Sequence, residues 1–363
     1  MIGAAVLLLA AAPIFNGRDL TGWVHEGDRA TFSVHDAAIV VSGRGFPPNW
    51  LHTVAEYRNF RLSFEYKLAQ WAEAAVILRA PRLGRPMQSG IAVFLGHDFH
   101  QNITPYITGA IAGVRPPSSR LPTSYGEWHR AEIVLREDRL HVTIDGTVVQ
   151  DVNLSADREL SLRRYQGFIG FPDLGHGYGV RNIHLEDLGG VDQDSSLLRN
   201  GSLTGWHLRG AGTWSVHEGV IIGANGHGIL YAPPVLQDFE LSGLVRSRNR
   251  VNAGLFFRGW PDSRKHRGFE VQVYSPPDAV YPTGSVYGKQ RSRIAADLEE
   301  RWFFLQVRVE GSRCLVRIDG ETVAEYDRLS GPDLQPGRIG LQIHSEDAQI
   351  EFRDLRVRSL TVR

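Results

Sequence analysis

Apolar and polar residues alternate along most of this chain with a period of two. In Gly268-Phe269-Glu270-Val271-Gln272-Val273, the residues Phe269, Val271 and Val273 share one face of an expected strand, and Glu270 and Gln272 share the other. The same alternation runs through residues 61–67, 131–135 and 305–309. Leu140 to Val149 and Leu315 to Val323 read as hairpins turning at Asp145-Gly146 and Asp319-Gly320, because Asp-Gly accepts the positive φ of a tight two-residue turn. No stretch sustains a long helical period. Many short strands joined by Gly- and Pro-rich turns predict an all-β chain built from sandwiches.

The pattern occurs twice. Leu20-Thr21-Gly22-Trp23 returns as Leu203-Thr204-Gly205-Trp206, Ala75-Val76-Ile77-Leu78-Arg79 as Gly254-Leu255-Phe256-Phe257-Arg258, and Glu127-Trp128-His129 as Arg301-Trp302-Phe303. Ile144-Asp145-Gly146 returns as Ile318-Asp319-Gly320 and Val180-Arg181-Asn182-Ile183 as Phe352-Arg353-Asp354-Leu355, in unbroken order. A period this long means duplicated domains rather than a solenoid. The expected division is a first domain over 13–190 and a second over 191–363, joined by a short polar link. The apolar residues 1–12, ending in Ala10-Ala11-Ala12, have the character of a secretory signal and predict a periplasmic or extracellular protein.

Composition narrows the function by exclusion. The 363 residues carry 40 Lys+Arg and 40 Asp+Glu, so no net field draws in nucleic acid or an anionic membrane. A single cysteine, Cys314, rules out an internal disulfide and falls at a buried strand position. Neither a Gly-x-Ser-x-Gly elbow, a Walker loop, a Cys-x-x-Cys pair nor a His-Glu-x-x-His run is present. Eight Trp and eleven Tyr supply rings that stack on sugar faces; Trp50, Trp71 and Trp260 are candidates, with packing as the ordinary alternative for each.

The opening Ile14-Phe15-Asn16-Gly17-Arg18-Asp19-Leu20-Thr21-Gly22-Trp23 resembles the start of the bacterial 3-keto-disaccharide hydrolase domain. Gly268-Phe269-Glu270-Val271-Gln272, Thr283-Gly284-Ser285-Val286-Tyr287, residues 336–344 and Glu351-Phe352-Arg353-Asp354-Leu355 are similar to its later motifs. The resemblance spans almost the whole chain as two tandem copies. It implies concanavalin-like jelly rolls and activity on 3-oxo-glycosides. The first copy departs from the pattern, with Ala92 and Phe94 in place of Glu270 and Gln272, and Phe171-Pro172-Asp173-Leu174 in place of a Leu-Gln-x-His run. It has its own cluster, His97, Asp98 and His100, as a secondary candidate for metal binding.

In the second copy Gln342 and His344 stand two apart, as Glu270 and Gln272 do, so each pair shares a face. A carbonyl at C3 of a sugar acidifies the proton on C2; removing it gives an enolate that expels the C1 group, and water completes a net hydrolysis. That route needs one general base and one stabiliser of the enolate oxygen. Glu270 or His344 is the expected base, Arg258 the group facing the oxyanion, and Gln272, Tyr287 and Gln342 the groups that orient hydroxyls. No cofactor is assigned by the sequence, and a divalent metal ion is the open alternative to Arg258 as stabiliser. If a divalent metal takes part, Glu270 and His344 are its expected ligands instead. An ordinary glycosidase would need two flanking carboxyl groups, and the position two after Glu270 is an amide. The competing reading is a non-catalytic carbohydrate-binding protein using the same concave faces.

Overall fold

The computed structural model describes residues 11–44, 49–96, 102–121, 124–190, 194–262, 268–294, 297–331 and 334–360. The chain divides into two units, Met1–Val191 and Asp192–Arg363. Each is a concanavalin-like jelly roll of two antiparallel sheets packed face to face, and the two follow in tandem. The one α-helix among the described residues is the single turn Pro86–Ser89.

In the first unit the back sheet runs Thr147–Asn153, Arg139–Ile144, Trp128–Arg136, Asn59–Leu68, Gly177–Gly189, Ala38–Ser42, Phe32–His35. Alternation decides its inner face: Phe60, Leu62, Phe64, Tyr66 and Leu68 enter the core while Arg61, Ser63, Glu65 and Lys67 face out. The front sheet runs Trp23–Glu26, Trp50–Thr53, Phe168–Pro172, Glu73–Ala80, Ile91–Gly96. Ala12–Pro13, at the end of the segment read as a signal, pairs with Leu185 and His184 of the back sheet; residues 1–10 lie outside the described residues.

Both expected hairpins form, with Asp145 and Asp319 at φ 48° and 50° and the glycines after them at 78° and 84°. Cys314 sits fully buried on Arg313–Ile318, and burial pushes its thiol up to about 12.

The second unit repeats this order with one change. Two strands, Val220–Leu236 and Gly337–Ser359, are long enough to serve both sheets. The early part of Gly337–Ser359 pairs with Ala253–Gly259 in front, and its later part pairs with Phe239–Arg248 behind. A shift of register between Ala224 and Gly226 lets the long pair bend from the front layer to the back. In the first unit the matching chain breaks into Phe168–Pro172 and Gly177–Gly189, at a turn where Gly175 takes φ 85° and donates its N–H to Asp173 Oδ1.

Candidate functional site

The front sheet of the second unit is ordered His207–Gly210, Val220–Leu236, Gly337–Ser359, Ala253–Gly259, Phe269–Val273. Its inner face, with Leu255, Phe257, Val271, Leu341 and Ile343, belongs to the core. Its outer face is a grid set by register. One row across the strands is Arg209, Ile229, Gln342, Gly254, Gln272. The next is Tyr231, Gly340, Phe256, Glu270, and on the other side His227 pairs with His344. Residues in one row of an antiparallel sheet point the same way, so these side chains share a surface.

That surface is the floor of a cavity of about 750 Å³ whose lining includes Arg209, His227, Asn252, Phe256, Glu270, Gln272, Tyr287, Lys289, Gln342 and His344. Its depth comes from a missing side chain. A Cβ on Gly254 would lie 2.3 Å from Glu270 Oε1, so the carboxyl leans over the glycine toward the middle of the sheet. A wall is supplied by residues 283–290, which continue the sheet beyond Phe269–Val273. Tyr287 donates its backbone N–H to Glu270 O at 2.9 Å and Gln272 donates to Ser285 O at 2.9 Å. Gly284 is required there: at φ 86° it passes so close to Ile318 and Val323 that a Cβ would stand 2.8 Å from each.

Glu270 has no hydrogen-bond or ion-pair partner among the described residues, and burial alone pushes its carboxyl up to about 7. Gln272, almost fully buried, donates Nε2 to Asn252 Oδ1 at 2.8 Å. Gln342 presents a buried Oε1 with no partner. His344 is exposed, edge-on to His227 with ring centroids 4.5 Å apart. Tyr287 is exposed and packs against Tyr281 at 5.2 Å. Five of the six site residues expected from sequence thus line one cavity.

Arg258 does not, and this corrects the expectation. Its guanidinium is fully buried and spent on the fold: Nε donates to Gln237 O at 3.0 Å, Nη1 to Gly311 O at 2.8 Å and Nη2 to Asp238 Oδ1 at 3.0 Å. Arg79 of the first unit does the same, donating Nε to Arg58 O at 2.8 Å and Nη2 to Glu137 O at 2.9 Å. Both residues hold positive φ, 49° and 53°, at the end of a front strand. A side chain that makes the same bonds in both copies ties a strand end to its neighbours.

Other expectations are redistributed. Trp50 is a core residue, fully buried with Nε1 donating to Arg82 O at 3.0 Å, while Trp71 and Trp260 do not line the cavity. His97, Asp98 and His100 lie outside the described residues. The possible metal ligands Glu270 and His344 share the cavity, but among the described residues no three His, Cys, Asp or Glu side chains gather around a common point.

Sequence reasoning missed Arg209, Lys289, Asn252 and His227. The signal for the cations lay in the repeat. Three residues beyond Leu-Thr-Gly-Trp, the first copy has Glu26 and the second Arg209; Val114 of the first copy answers to Lys289 by register.

Among solved structures, the chain is 20% identical to a candidate glycosyl hydrolase from Parabacteroides distasonis, covering 49% of this chain and 94% of that one with a TM-score of 0.43. It is 14% identical to a galectin-like protein of unknown function from Bacillus subtilis over 48% and 98% of the two chains, with a TM-score of 0.37. It is 18% identical to the carbohydrate-binding module CBM66 of the same species over 43% and 96%, with a TM-score of 0.31. No curated protein matches it. A family match is found twice, over residues 10–186 and 194–358, and through it the chain belongs to the 3-keto-alpha-glucoside-1,2-lyase-like domain family.

Proposed function

We propose that the second unit cleaves 3-oxo-glycosides by removing the proton on C2 and expelling the group on C1. The observation that carries this reading is Glu270, a carboxylate on the cavity floor with no partner among the described residues, held at about 7 by burial. A base must be ionised often enough to act yet basic enough to take a carbon-bound proton, and a carboxyl raised toward neutrality meets both needs.

The order of groups across the sheet suits the order of atoms in such a substrate. Tyr287 and Lys289 stand beyond the Glu270 strand, on the side for a C3 oxygen; Gln342 and His344 stand on the other side, for the C1 oxygen. As Glu270 takes the C2 proton, the C2–H electrons form C2=C3 and place charge on the C3 oxygen, which the Lys289 ammonium and Tyr287 hydroxyl stabilise. Re-forming the carbonyl then makes C1=C2 and breaks the C1–O bond. The leaving oxygen takes a proton from His344 or from Glu270. Water added to the unsaturated sugar completes hydrolysis.

A two-carboxylate glycosidase mechanism fits less well, because among the described residues Glu270 is the one carboxylate lining the cavity. Export, suggested by residues 1–12, is also part of this proposal and is tested by cell fractionation with and without that segment.

The decisive assay offers a 3-oxo-glucoside beside its unoxidised parent, with and without chelator. The expected result is turnover of the oxidised sugar alone, lost by roughly 10²–10⁴-fold in Glu270→Gln. Its rate rises with pH through a midpoint near 7, as the carboxylate forms. Turnover of the parent alone contradicts the enolate route. Binding without turnover of either sugar, unaltered in Glu270→Gln, establishes a carbohydrate-binding protein instead.

A further inference from the structure

At the far edge of the same floor, four strands from Gln272 along one row, stands Arg209. Four inter-strand steps are about 19 Å of backbone. Glu270, leaning inward over Gly254, and Arg209 therefore face each other across a trough with room between them for the leaving group of a glycoside.

Arg209 lines the cavity, yet its Nη1 is buried with no hydrogen-bond partner, and no carboxylate pairs with it among the described residues. Beside it the hydroxyl of fully buried Tyr231 faces the Arg209 guanidinium, and Gln342 Oε1, one strand further in, is buried without a partner among the described residues. A buried polar group left unmade costs about 1–3 kcal/mol, and more when it is charged. These atoms sit at the wall of a cavity, so a ligand is positioned to satisfy them. Neutral sugar hydroxyls can accept from an N–H but leave the charge of a guanidinium unbalanced, whereas a carboxylate or phosphate does both.

The first copy shows the opposite solution at the same place. Glu26 occupies the Arg209 position, and it is neutralised within the protein by Arg82, with His52 Nε2 3.8 Å away. Where no ligand enters, the charge has a protein counter-ion. Where the cavity opens, it has none among the described residues.

We infer that the Arg209 end of the trough binds an anionic group, a carboxylate or a phosphate, carried by the leaving group of the glycoside. Arg209 pairs with the anion, and the Tyr231 hydroxyl donates to it. The inference rests on the reading of Glu270 as the base, because that residue fixes which end of the trough holds the reacting sugar.

The test uses the full chain and three 3-oxo-glucosides, whose phenol leaving groups bear a 4-carboxylate, a 4-phosphate or a neutral 4-carboxamide. The expected result is a preference for one or both anionic leaving groups over the carboxamide of roughly tenfold or more in kcat/KM, the scale of one charge-assisted contact. In Arg209→Gln it falls to about twofold or less, and Arg209→Lys restores part of it. Calorimetric binding of the three unoxidised parents gives the same ratio without turnover. If no oxidised sugar reacts but the binding preference holds and depends on Arg209, the reaction assignment fails and the anion site stands. Equal treatment of all three compounds by the wild-type chain overturns the site. So does a preference that persists in correctly folded Arg209→Gln.

Discussion

The two outer faces, one from each unit, are built on the same scaffold and differ at almost every position that matters. By register Ala92, Phe94, Ala112, Val114 and Pro172 in the first copy stand where Glu270, Gln272, Tyr287, Lys289 and Gln342 stand in the second, and Leu174, two residues past Pro172, answers in sequence to His344. Trp50 stands at the place of Ile229, and Ala75 at that of Gly254. In the first copy Trp50, Ile77 and Ala80 form a packed cluster with Met87 and Phe168. One face has been filled with hydrocarbon; the other keeps a hollow lined with polar and charged groups. The difference teaches which residues carry function. Those shared by both copies, such as Arg79 and Arg258, hold the sandwich together, and those present in only one copy line the cavity of the proposed site.

The largest expected effect tests the shared half of that statement. Arg258→Ala and Arg79→Ala each remove a buried guanidinium and leave its carbonyl and side-chain acceptors unmet, so each is expected to destabilise its own unit by about 3–5 kcal/mol. Scanning calorimetry of the full chain measures both. A cost below about 1 kcal/mol for one of them would break the equivalence.

A smaller effect tests the hollow. Gly254→Ala places a methyl where the Glu270 carboxyl leans, and is expected to lower turnover of a 3-oxo-glucoside by roughly 10–100-fold while costing about 1–3 kcal/mol of stability. The reverse change in the first copy, Ala75→Gly, is expected to leave turnover where it was. Equal rates for Gly254→Ala and wild type would show that the leaning carboxyl is not part of the chemistry.

The smallest effect is a pH dependence of stability. Glu270 has a folded-state value near 7, above its ordinary 4.5, so between those values the folded chain keeps a proton that the unfolded chain has lost. Stability contributed by this residue is therefore complete below about pH 4.5 and is lost as pH rises toward 7. Glu270→Gln removes the loss: the variant is expected to be more stable than wild type at pH 8, by on the order of 1–2 kcal/mol after allowing for partial exposure, and equal to it at pH 4.5. A gain of the same size at both pH values would mean that the buried charge is not its source.

Much of this was legible in the alternation of the sequence. The hairpins at Asp145-Gly146 and Asp319-Gly320 announce themselves through turn chemistry, and the pairing of Glu270 with Gln272 and of Gln342 with His344 follows from the period of two. Register between distant strands was not legible, and register is what puts Arg209 in line with Gln342 and Gln272. Arg258 misled because same-face reasoning places Phe256 and Arg258 together. At φ 53° the chain leaves the strand there, and the side chain turns into the fold. Its twin Arg79, in the copy without the acid and amide, was the available clue. Trp50 was ambiguous for a related reason: an aromatic residue in a strand reads alike as platform or as filler until its neighbours are known.

The two strands that serve both layers of the second unit have a mechanical consequence. Gly337–Ser359 carries Gln342 and His344 at one end and the back-layer core residues Ile350 and Phe352 further along, and it pairs with Val220–Leu236 on both sides of the register shift at Ala224. Neither layer can peel away by itself, because prising one apart unzips the spine of its neighbour. Whatever the front layer holds is therefore anchored, through two shared strands, to the back layer of the same unit.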